Sequence, residues 1–318
     1  MKIVRPICAD DCRVLLAWRN HPETRRWCFD DRVIDPLAHE AWFRDLLGDP
    51  QRVGLMLIDE GLPVAHIRFD PCHQPGQLTI SIMTSPEHRG RGYGRDLLGQ
   101  ALHHEEVTRR AVLVRAETFE NNAAARKLFE GAGFKLMGHG TRQGHAYLEW
   151  RLPISPLFVQ YPFGLEGEGP LLAAVLDMLA TFEITPRFVV RSEPYSRENV
   201  ASGVLGASSP LSIHLQDQAL ATGARALFIC DWPERIPPEL LAHFKDGIFA
   251  LRRAASQNEA FLELHPGLFE CYGVTTATVG GMVLDHLAHL VFRRQSPADE
   301  RPTARPRPVS PVPDAEGH

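Results

Sequence analysis

Residues 85–98, SPEHRGRGYGRDLL, constrain the fold most, because three glycines alternate directly before an apolar helical pattern. Glycine loses more conformational freedom on folding than other residues, so this spacing indicates a close approach to the main chain. The first turn of a helix offers unpaired N–H groups and a partial positive charge, which together favour a phosphate. We therefore expect a phosphate-binding loop made of three glycines and two cations: Gly90, Gly92, Gly94, Arg89 and Arg91. A plain strand-to-helix turn is the alternative.

Composition limits the class of protein. The 318 residues suffice for two ordinary domains, and 44% hydrophobic with 23% charged residues is typical of a globular protein. The net charge of -5, with no sustained basic stripe, argues against a nucleic-acid partner. Six cysteines without a CxxC pair favour a reducing compartment. Because the sequence shows neither a signal peptide nor an apolar run of about 18 residues, we expect a cytoplasmic protein that does not bind membranes.

Hydrophobic periodicity predicts an α/β fold in two parts. In the first part we expect helices at 10–20, 36–47, 94–109 and 122–132, and strands at 53–58, 64–69, 78–83, 111–115, 134–137 and 145–152. After the prolines of 153–156, we expect strands at 157–160, 188–191, 226–230 and 247–251, with helices at 170–181 and 237–245. This alternation predicts a mainly parallel, Rossmann-like sheet. The predicted division is a first domain at 1–152, a second at 157–295 and a disordered tail at 296–318, which holds six prolines.

A second motif follows the glycine loop by about 30 positions: NAAARKLFEGAGF, at residues 122–134. Together with SPEHRGRGYG, and within a β-β-β-α-β-α-β succession, it resembles the two CoA-binding elements of the GNAT acetyltransferases. The resemblance covers about residues 1–152. It implies a mixed central sheet with flanking helices, and an enzyme that transfers acetyl from acetyl-CoA to the amine of a small-molecule substrate.

Three further segments resemble the GNAT branch that acetylates nucleotide-linked 4-amino sugars in pseudaminic acid biosynthesis. They are WRNHPE with the following RRW (18–27), HEAWF (39–43) and VAHIRFD (64–70). Guanidinium groups suit a diphosphate and an indole suits stacking. The resemblance thus implies these substrate-binding residues: Arg19, Asn20, Arg25, Trp27 and Arg68. Relatives that acetylate protein N-termini share part of this pattern, so that acceptor stays open, as does an ordinary amphipathic helix with a buried tryptophan.

The same resemblance assigns the donor site. It places the CoA pyrophosphate on the main chain of 89–94 and the pantetheine along 82–84, where the strand edge is expected to open. Asn122 would contact the cofactor and can also cap a helix. The implied cofactor-binding residues are Ile82, Met83, Thr84, Arg89, Gly90, Arg91, Gly92, Tyr93, Gly94, Asn122 and Phe129.

Two catalytic residues are predicted, Asp70 and Asn122. Asp70 is the first choice for a general base, with His66, His73 and Glu87 as other candidates and a turn-forming role for Asp70 as the alternative. Many family members carry a tyrosine, a proton donor to the leaving thiolate, where this chain has Phe129. Either the thiolate leaves unprotonated or through water, or the domain binds CoA as a sensor. We expect no metal, because Cys72-His73 is too short a pattern for a site.

The second half gives weaker signals. GLEGEG at 164–169 is interpreted as a structural turn, since its glutamates would repel phosphate. LHPGLFECYG at 264–273 faintly resembles a formyltransferase segment, although the family's Asn is Glu263 here and its Pro and Arg are missing. His286 and His289 have a spacing that could bind metal, and core or interface positions are the favoured interpretation. The role of this half and a homo-oligomeric state are left open.

Overall fold

A computed structural model describes residues 1–167, 169–191, 210–230, 236, 238–251, 258–265, 267–272 and 274–295. The chain divides into two compact units, Met1–Phe158 with Val291–Arg293, and Val159–Leu290 with the remainder. The predicted disordered tail at 296–318 lies outside the described residues. No helix in the described part is long and apolar enough to cross a membrane.

The first unit is built on a seven-stranded mixed sheet. Its strands are β1 (Lys2–Pro6), β2 (Val53–Asp59), β3 (Leu62–Pro71), β4 (Gly76–Thr84), β5 (Ala111–Phe119), β6 (Lys135–Arg142) and β7 (His145–Pro153). They lie in the order β1-β2-β3-β4-β5-β7-β6, and only β4 and β5 pair in parallel. The α/β class and the mixed sheet are confirmed, and β1 is a strand that the sequence pattern did not predict.

Six helices cover this sheet: α1 (Cys12–Asn20), α2 (Pro22–Arg25), α3 (Pro36–Gly48), α4 (Tyr93–Ala101), α5 (Glu105–Thr108) and α6 (Ala123–Gly131). The carboxylate of Asp35 accepts hydrogen bonds from two first-turn N–H groups of α3, and Pro36 begins that helix. The single helix predicted at 94–109 was wrong. It is divided into α4 and α5, because the His104 side chain accepts a hydrogen bond from the Glu106 N–H and starts a new helix.

Strand alternation separates two faces of β3. Ala65, Ile67 and Phe69 belong to the larger apolar core, which also contains residues of α4 and α6. The intervening side chains therefore point to the opposite face. That face is covered by a smaller apolar cluster of Leu15, Trp18, Phe43, Leu46 and Met56, so α1 and α3 pack there. This places His66, Arg68 and Asp70 in one row beneath the first helices.

The parallel strands β4 and β5 pair only over the first part of their length and separate towards their carboxyl ends. The described pairing runs from Gly76 with Ala111 to Thr79 with Arg115, whereas β4 continues to Thr84 and β5 to Phe119. The unpaired ends leave an opening in the centre of the sheet at Ile80–Thr84. The family resemblance implied such an opening at 82–84.

The second unit contains a six-stranded sheet in the order β12-β13-β11-β10-β8-β9, in which only β12 is antiparallel. Its strands are β8 (Phe163–Gly167), β9 (Phe188–Arg191), β10 (Ala226–Cys230), β11 (Gly247–Leu251), β12 (Asn258–His265) and β13 (Leu268–Tyr272). The remaining helices are α7 (Leu157–Gln160), α8 (Gly169–Thr181), α9 (Pro210–Thr222), α10 (Pro238–Leu241) and α11 (Val279–Gln295). The predicted parallel sheet is confirmed.

Two local predictions in the second half of the chain were wrong. Residues 157–160 form helix α7 instead of a strand, and the Ser155 hydroxyl accepts a hydrogen bond from the Leu157 N–H at its start. The turn predicted at 164–169 is mostly strand β8, all of whose residues are buried. The formyltransferase-like segment supplies parts of β12 and β13; its Pro266 and Gly273 lie outside the described residues.

Candidate active site

A cleft of about 1490 Å³ lies in the first unit. It is lined by the glycine loop, the separated ends of β4 and β5, the start of α6 and the layer formed by α1–α3. The two motifs, at 85–94 and 122–134, thus both contribute residues to one space. That space extends onto the sheet face that carries Arg68 and Asp70.

Two of the three loop glycines are required by the backbone itself. Gly90 has φ 75° and Gly92 has φ 84°, and Gly92 is the N-cap of α4. These left-handed conformations strain any residue that has a Cβ. Gly94 has a different reason, because a Cβ there would lie 3.4 Å from Oγ1 of Thr84, at tight packing distance. The loop curves around the cleft and brings helix α4 to its edge.

Side chains of the loop point to other parts of the unit. The Arg89 guanidinium donates hydrogen bonds to the Glu23 carbonyl (2.9 Å) and the Thr24 hydroxyl (2.6 Å). Burial lowers the pKa of Arg89. Tyr93 donates from its hydroxyl to Asp59 (2.8 Å) and is not among the cleft-lining residues. Arg89 therefore links the loop to α2, and Tyr93 links α4 to the end of β2.

The opening between the strands leads to the start of α6. Ile82, Met83 and Thr84 line one side and residues 117–119 line the other. Asn122 caps α6, its side-chain oxygen accepting a hydrogen bond from the Ala125 N–H (3.1 Å). Asn122 also lines the cleft, so the capping role and a place in the site coexist. The start of α6 adds the partial positive charge of a helix N-terminus.

Phe129 lies between the cleft and the larger core. Its side chain is 3% exposed and its ring meets that of Phe134 edge-on at 5.0 Å. It also lines the cleft. The ring presents no proton donor there, in agreement with the departure noted in the sequence.

Three residues predicted to bind substrate hold the loop 26–35 in place. Arg19 donates a hydrogen bond to the Asp30 carbonyl, and Arg25 donates to the Asp31 carbonyl (3.0 Å). The Asn20 amide bonds both the N–H (2.8 Å) and the carbonyl (2.9 Å) of Ile34. Arg19 lines the cleft, whereas Asn20 and Arg25 do not. This shared role could not be predicted, because hydrogen bonds to main-chain carbonyls leave no residue pattern in the sequence.

Arg68 and Asp70 form a charged pair on the face beneath α1 and α3. Nε of Arg68 donates to the Asp70 carboxylate at 2.7 Å, and Nε of Arg52 lies 3.6 Å from its other oxygen. The Arg68 guanidinium also lies 5.0 Å from the ring centre of Trp42. Both members of the pair line the cleft. Of the other candidate bases, His73 and Glu87 are not among the lining residues.

His66 also lines the cleft and is 4% exposed. Burial, aided by the charge of Arg68, lowers the pKa of His66 to about 3, while Asp11 acts in the opposite direction. The imidazole is therefore neutral near pH 7 and is unsuited to act as a general base, which works best with a pKa near the operating pH. Its Nε2 atom is buried and has no hydrogen-bond partner among the described residues.

Sequence reasoning missed an aromatic group at the other end of the cleft. The Phe29 ring meets Phe119 at 5.0 Å and Tyr147 at 5.6 Å, both edge-on. Arg142 lies 4.5 Å from the Phe29 ring centre and forms a two-bond ion pair with Glu117 (2.8 and 3.0 Å). Phe29, Phe119 and Glu117 line the cleft. The alternation of β5 could have placed Glu117 and Phe119 on one face, but the position of Phe29 depends on the loop.

The family model of the acetyltransferase (GNAT) domain matches residues 3–135. This match identifies a GNAT acetyltransferase domain in residues 3–135. The chain is accordingly assigned acetyl-CoA-dependent N-acetyltransferase activity on amines, as the two motifs predicted. A search of curated proteins gives no match.

Several solved structures are similar to this chain. The ribosomal-protein-alanine N-acetyltransferase from Brucella melitensis is 22% identical, with a TM-score of 0.42, over 48% of this chain and 99% of that one. The spermidine N-acetyltransferase from Vibrio cholerae, solved with CoA and spermine, is 16% identical, with a TM-score of 0.44. The match covers 48% of this chain and 95% of that one. An N-acetyltransferase from Staphylococcus aureus is 16% identical, with a TM-score of 0.42. The match covers 49% of this chain and 99% of that one.

The cleft of the GNAT domain is basic, although the whole chain has a net charge of -5. Seven cations line it: Arg19, Arg26, Arg68, Arg89, Arg91, Arg95 and Lys127. Three carboxylates oppose them: Glu23, Asp70 and Glu117. The resulting formal charge of +4 favours anionic ligands.

Among the described residues, no group of three or more His, Cys, Asp or Glu side chains is placed to hold a metal ion.

Proposed function

We propose that the GNAT domain transfers acetyl from acetyl-CoA to the amine of a nucleotide-linked amino sugar, by direct attack in a ternary complex. The observation that carries the proposal is one basic cleft that continues from the glycine loop to the face bearing Arg68 and Trp42. Both ligands of the proposed reaction carry a diphosphate. A cleft with a formal charge of +4 would attract both.

On the donor side, the pyrophosphate would lie on the main chain of 89–94, and the pantetheine would enter between β4 and β5 along Ile82–Thr84. Two left-handed glycines and the start of α4 support the first part of this assignment. The missing ladder bonds beyond Thr79 support the second, because pantetheine amides need main-chain partners.

On the acceptor side, the proposed contacts are Arg19, Trp27 and Arg68, all of which line the cleft. Arg68 stacks on Trp42 and Arg26 lies 5.1 Å from the ring centre of Trp27, so two guanidinium–aromatic pairs face the space. Flat cationic and aromatic surfaces of this kind suit a diphosphate and a nucleobase. The same charge disfavours a polyamine acceptor. Asn20 and Arg25 would act through the loop 26–35 that they hold.

In the proposed reaction the neutral amine attacks the thioester carbon and a carbon–nitrogen bond forms. The oxyanion then collapses, the carbon–sulfur bond breaks and CoA leaves as a thiolate. The amine proton passes to Asp70, directly or through one water. Asn122 and the start of α6 would stabilise the thiolate, so that no hydroxyl is needed at position 129.

Two other functions make different predictions. Acetylation of a protein N-terminus would need an open peptide groove and would not need the cluster of Arg19, Arg25 and Arg26. A CoA sensor would bind acetyl-CoA without turnover, and Phe129 is the feature that favours it. The faint formyltransferase resemblance of the second half stays a prediction. So do three properties of the whole chain: the domain boundaries at 1–152 and 157–295, a homo-oligomeric state and a cytoplasmic location.

The first experiment incubates the protein with acetyl-CoA and a UDP-4-amino-4,6-dideoxy-hexose and follows free thiol and product mass. Thiol release with acetylated sugar is the expected result. Spermidine and an alanine-initiated peptide serve as alternative acceptors, and acetylation of only the peptide would overturn the proposed substrate. Binding of acetyl-CoA without any product would support the sensor.

A variant pair then tests the role of Asp70. Asp70→Asn is expected to lower kcat by about 100-fold, within the usual range for loss of a general base. Asp49→Asn is the matched control, because Asp49 pairs with the same Arg52 (3.2 Å) but does not line the cleft. Equal kcat values for the two variants would exclude Asp70 as the base.

A further inference from the structure

We infer that His66 binds an uncharged polar group of the acceptor through Nε2 and thereby selects the acceptor that enters the cleft. The inference rests on the proposed function of the same cleft and adds a specificity-determining residue to it. It starts from the position of His66 in the sheet.

His66 lies on β3 between two methionines of neighbouring strands. Met56 of β2 and Met83 of β4 are its register partners. Met83 belongs to the segment proposed to receive the pantetheine, and it lines the cleft together with His66. His66 is thus one strand away from the place where the thioester would be held, on the face proposed for the acceptor.

The buried Nε2 atom has no partner among the described residues. A buried polar atom without a hydrogen bond destabilises the folded protein, and most such atoms in proteins are paired. A hydrophobic residue at this position would avoid that cost, because the register partners on both neighbouring strands are methionines. The presence of an imidazole at this position is explained if a ligand in the cleft supplies the missing hydrogen-bond partner of Nε2.

The charge state of His66 limits what that partner can be. The nearby charged groups are Arg68 on the same strand, which disfavours protonation, and Asp11 before α1, which favours it weakly. Arg19 on α1 and the imidazole of His39 on α3 line the same cleft. A neutral imidazole offers one donor and one acceptor, which matches a hydroxyl or an amide group of a sugar. An ammonium or a phosphate would be paired better by the charged residues nearby.

His39 provides an internal comparison. It also lines the cleft and is 4% exposed, but its Nε2 lies 3.1 Å from the Cys12 carbonyl and its ring stacks on Phe43. Its ring nitrogen is therefore satisfied within the protein. His39 serves as the matched control for a buried histidine with a structural role.

The test measures steady-state kinetics for His66→Leu, His66→Gln and His39→Gln with the UDP-amino sugar. His66→Leu is expected to raise the acceptor KM by about 10-fold or more, because a site built for a hydroxyl loses its partner. The KM for acetyl-CoA is expected to change less than about 2-fold. His66→Gln, whose amide can reach the position of Nε2, is expected to recover most of the acceptor KM. His39→Gln is expected to lower thermal stability and leave the acceptor KM unchanged.

Equal acceptor KM values for His66→Leu and wild type would overturn the inference, as would a loss of stability in His66→Leu without a change in KM. Failure of the wild type to acetylate the sugar would instead overturn the proposed substrate. In that case the same comparison is made with spermidine and the alanine-initiated peptide. Equal KM values for His66→Leu and wild type, measured with whichever amine is acetylated, would count against the role of His66. Failure to acetylate any of these amines would also count against it.

Discussion

Nη2 of Arg89 donates a 2.6 Å hydrogen bond to the hydroxyl of Thr24, which lies 65 positions earlier in the chain. Nη1 of the same guanidinium donates to the neighbouring Glu23 carbonyl. These bonds connect the glycine loop, the proposed donor site, to helix α2. Since α2 leads into the loop 26–35, these bonds connect the two proposed ligand sites.

We predict that Arg89→Ala and Thr24→Val each raise the KM for the acceptor several-fold. The double variant is expected to show a coupling energy of about 1 kcal/mol, as for a partly exposed hydrogen bond to a charged group. The measurement is a double-mutant cycle on kcat/KM. Arg91→Ala is the control, since it lines the cleft in the same loop and is expected to affect acetyl-CoA alone. Strict additivity of the two substitutions would show that the link has no functional role.

Gly92→Ala should weaken acetyl-CoA binding, because an alanine at φ 84° is strained and would distort the start of α4. We expect the KM for acetyl-CoA to rise by about 10-fold, equivalent to about 1.4 kcal/mol. Gly99→Ala in the same helix is the matched control, because a Cβ there meets no described atom within 4 Å. That control is expected to raise the free energy of unfolding by about 0.5–1 kcal/mol. Similar KM values for the two variants would refute the role of Gly92.

Phe129→Tyr restores the hydroxyl found in many relatives. If Asn122 and the start of α6 stabilise the thiolate, kcat is expected to change less than about 3-fold. The ring is packed against Phe134, so thermal stability must be measured in parallel. A rise of kcat by 100-fold or more would instead show that the natural residue impairs catalysis, as the sensor function requires.

The free energy of unfolding should depend on the protonation of His66. Its pKa is about 3 in the folded protein and about 6.5 when unfolded, so between these values only the unfolded chain binds the proton. Stability from this group is therefore complete above pH 6.5 and falls as the pH decreases. Relative to His66→Gln, wild type is expected to lose about 2 kcal/mol between pH 7 and pH 5. Parallel stability curves for the two proteins, measured by urea unfolding, would contradict this prediction.

Most of the fold was predictable because its signals are local. The alternation of β3, the glycines before α4 and the Asn122 cap each follow from a few neighbouring residues. The opening between β4 and β5 was expected only from the family resemblance, since strand pairing is not a local property. Predictions of elements failed where a side chain competed with the periodic pattern, as at His104, where one helix became two, and at Ser155, where a helix replaced a strand.

The sequence by itself determined a glycine-rich turn before a helix, an asparagine cap and an α/β succession, because backbone freedom, capping and periodicity are properties of short segments. The CoA-binding roles of the two motifs came from the family resemblance. The tertiary structure alone decided what the polar side chains do. Arg89 bonds Thr24, Asn20 and Arg25 hold a loop, and burial lowers the pKa of His66 to about 3. Each of these outcomes depends on burial or on partners that the fold brings together, and neither burial nor pairing is encoded in the residues next to the side chain.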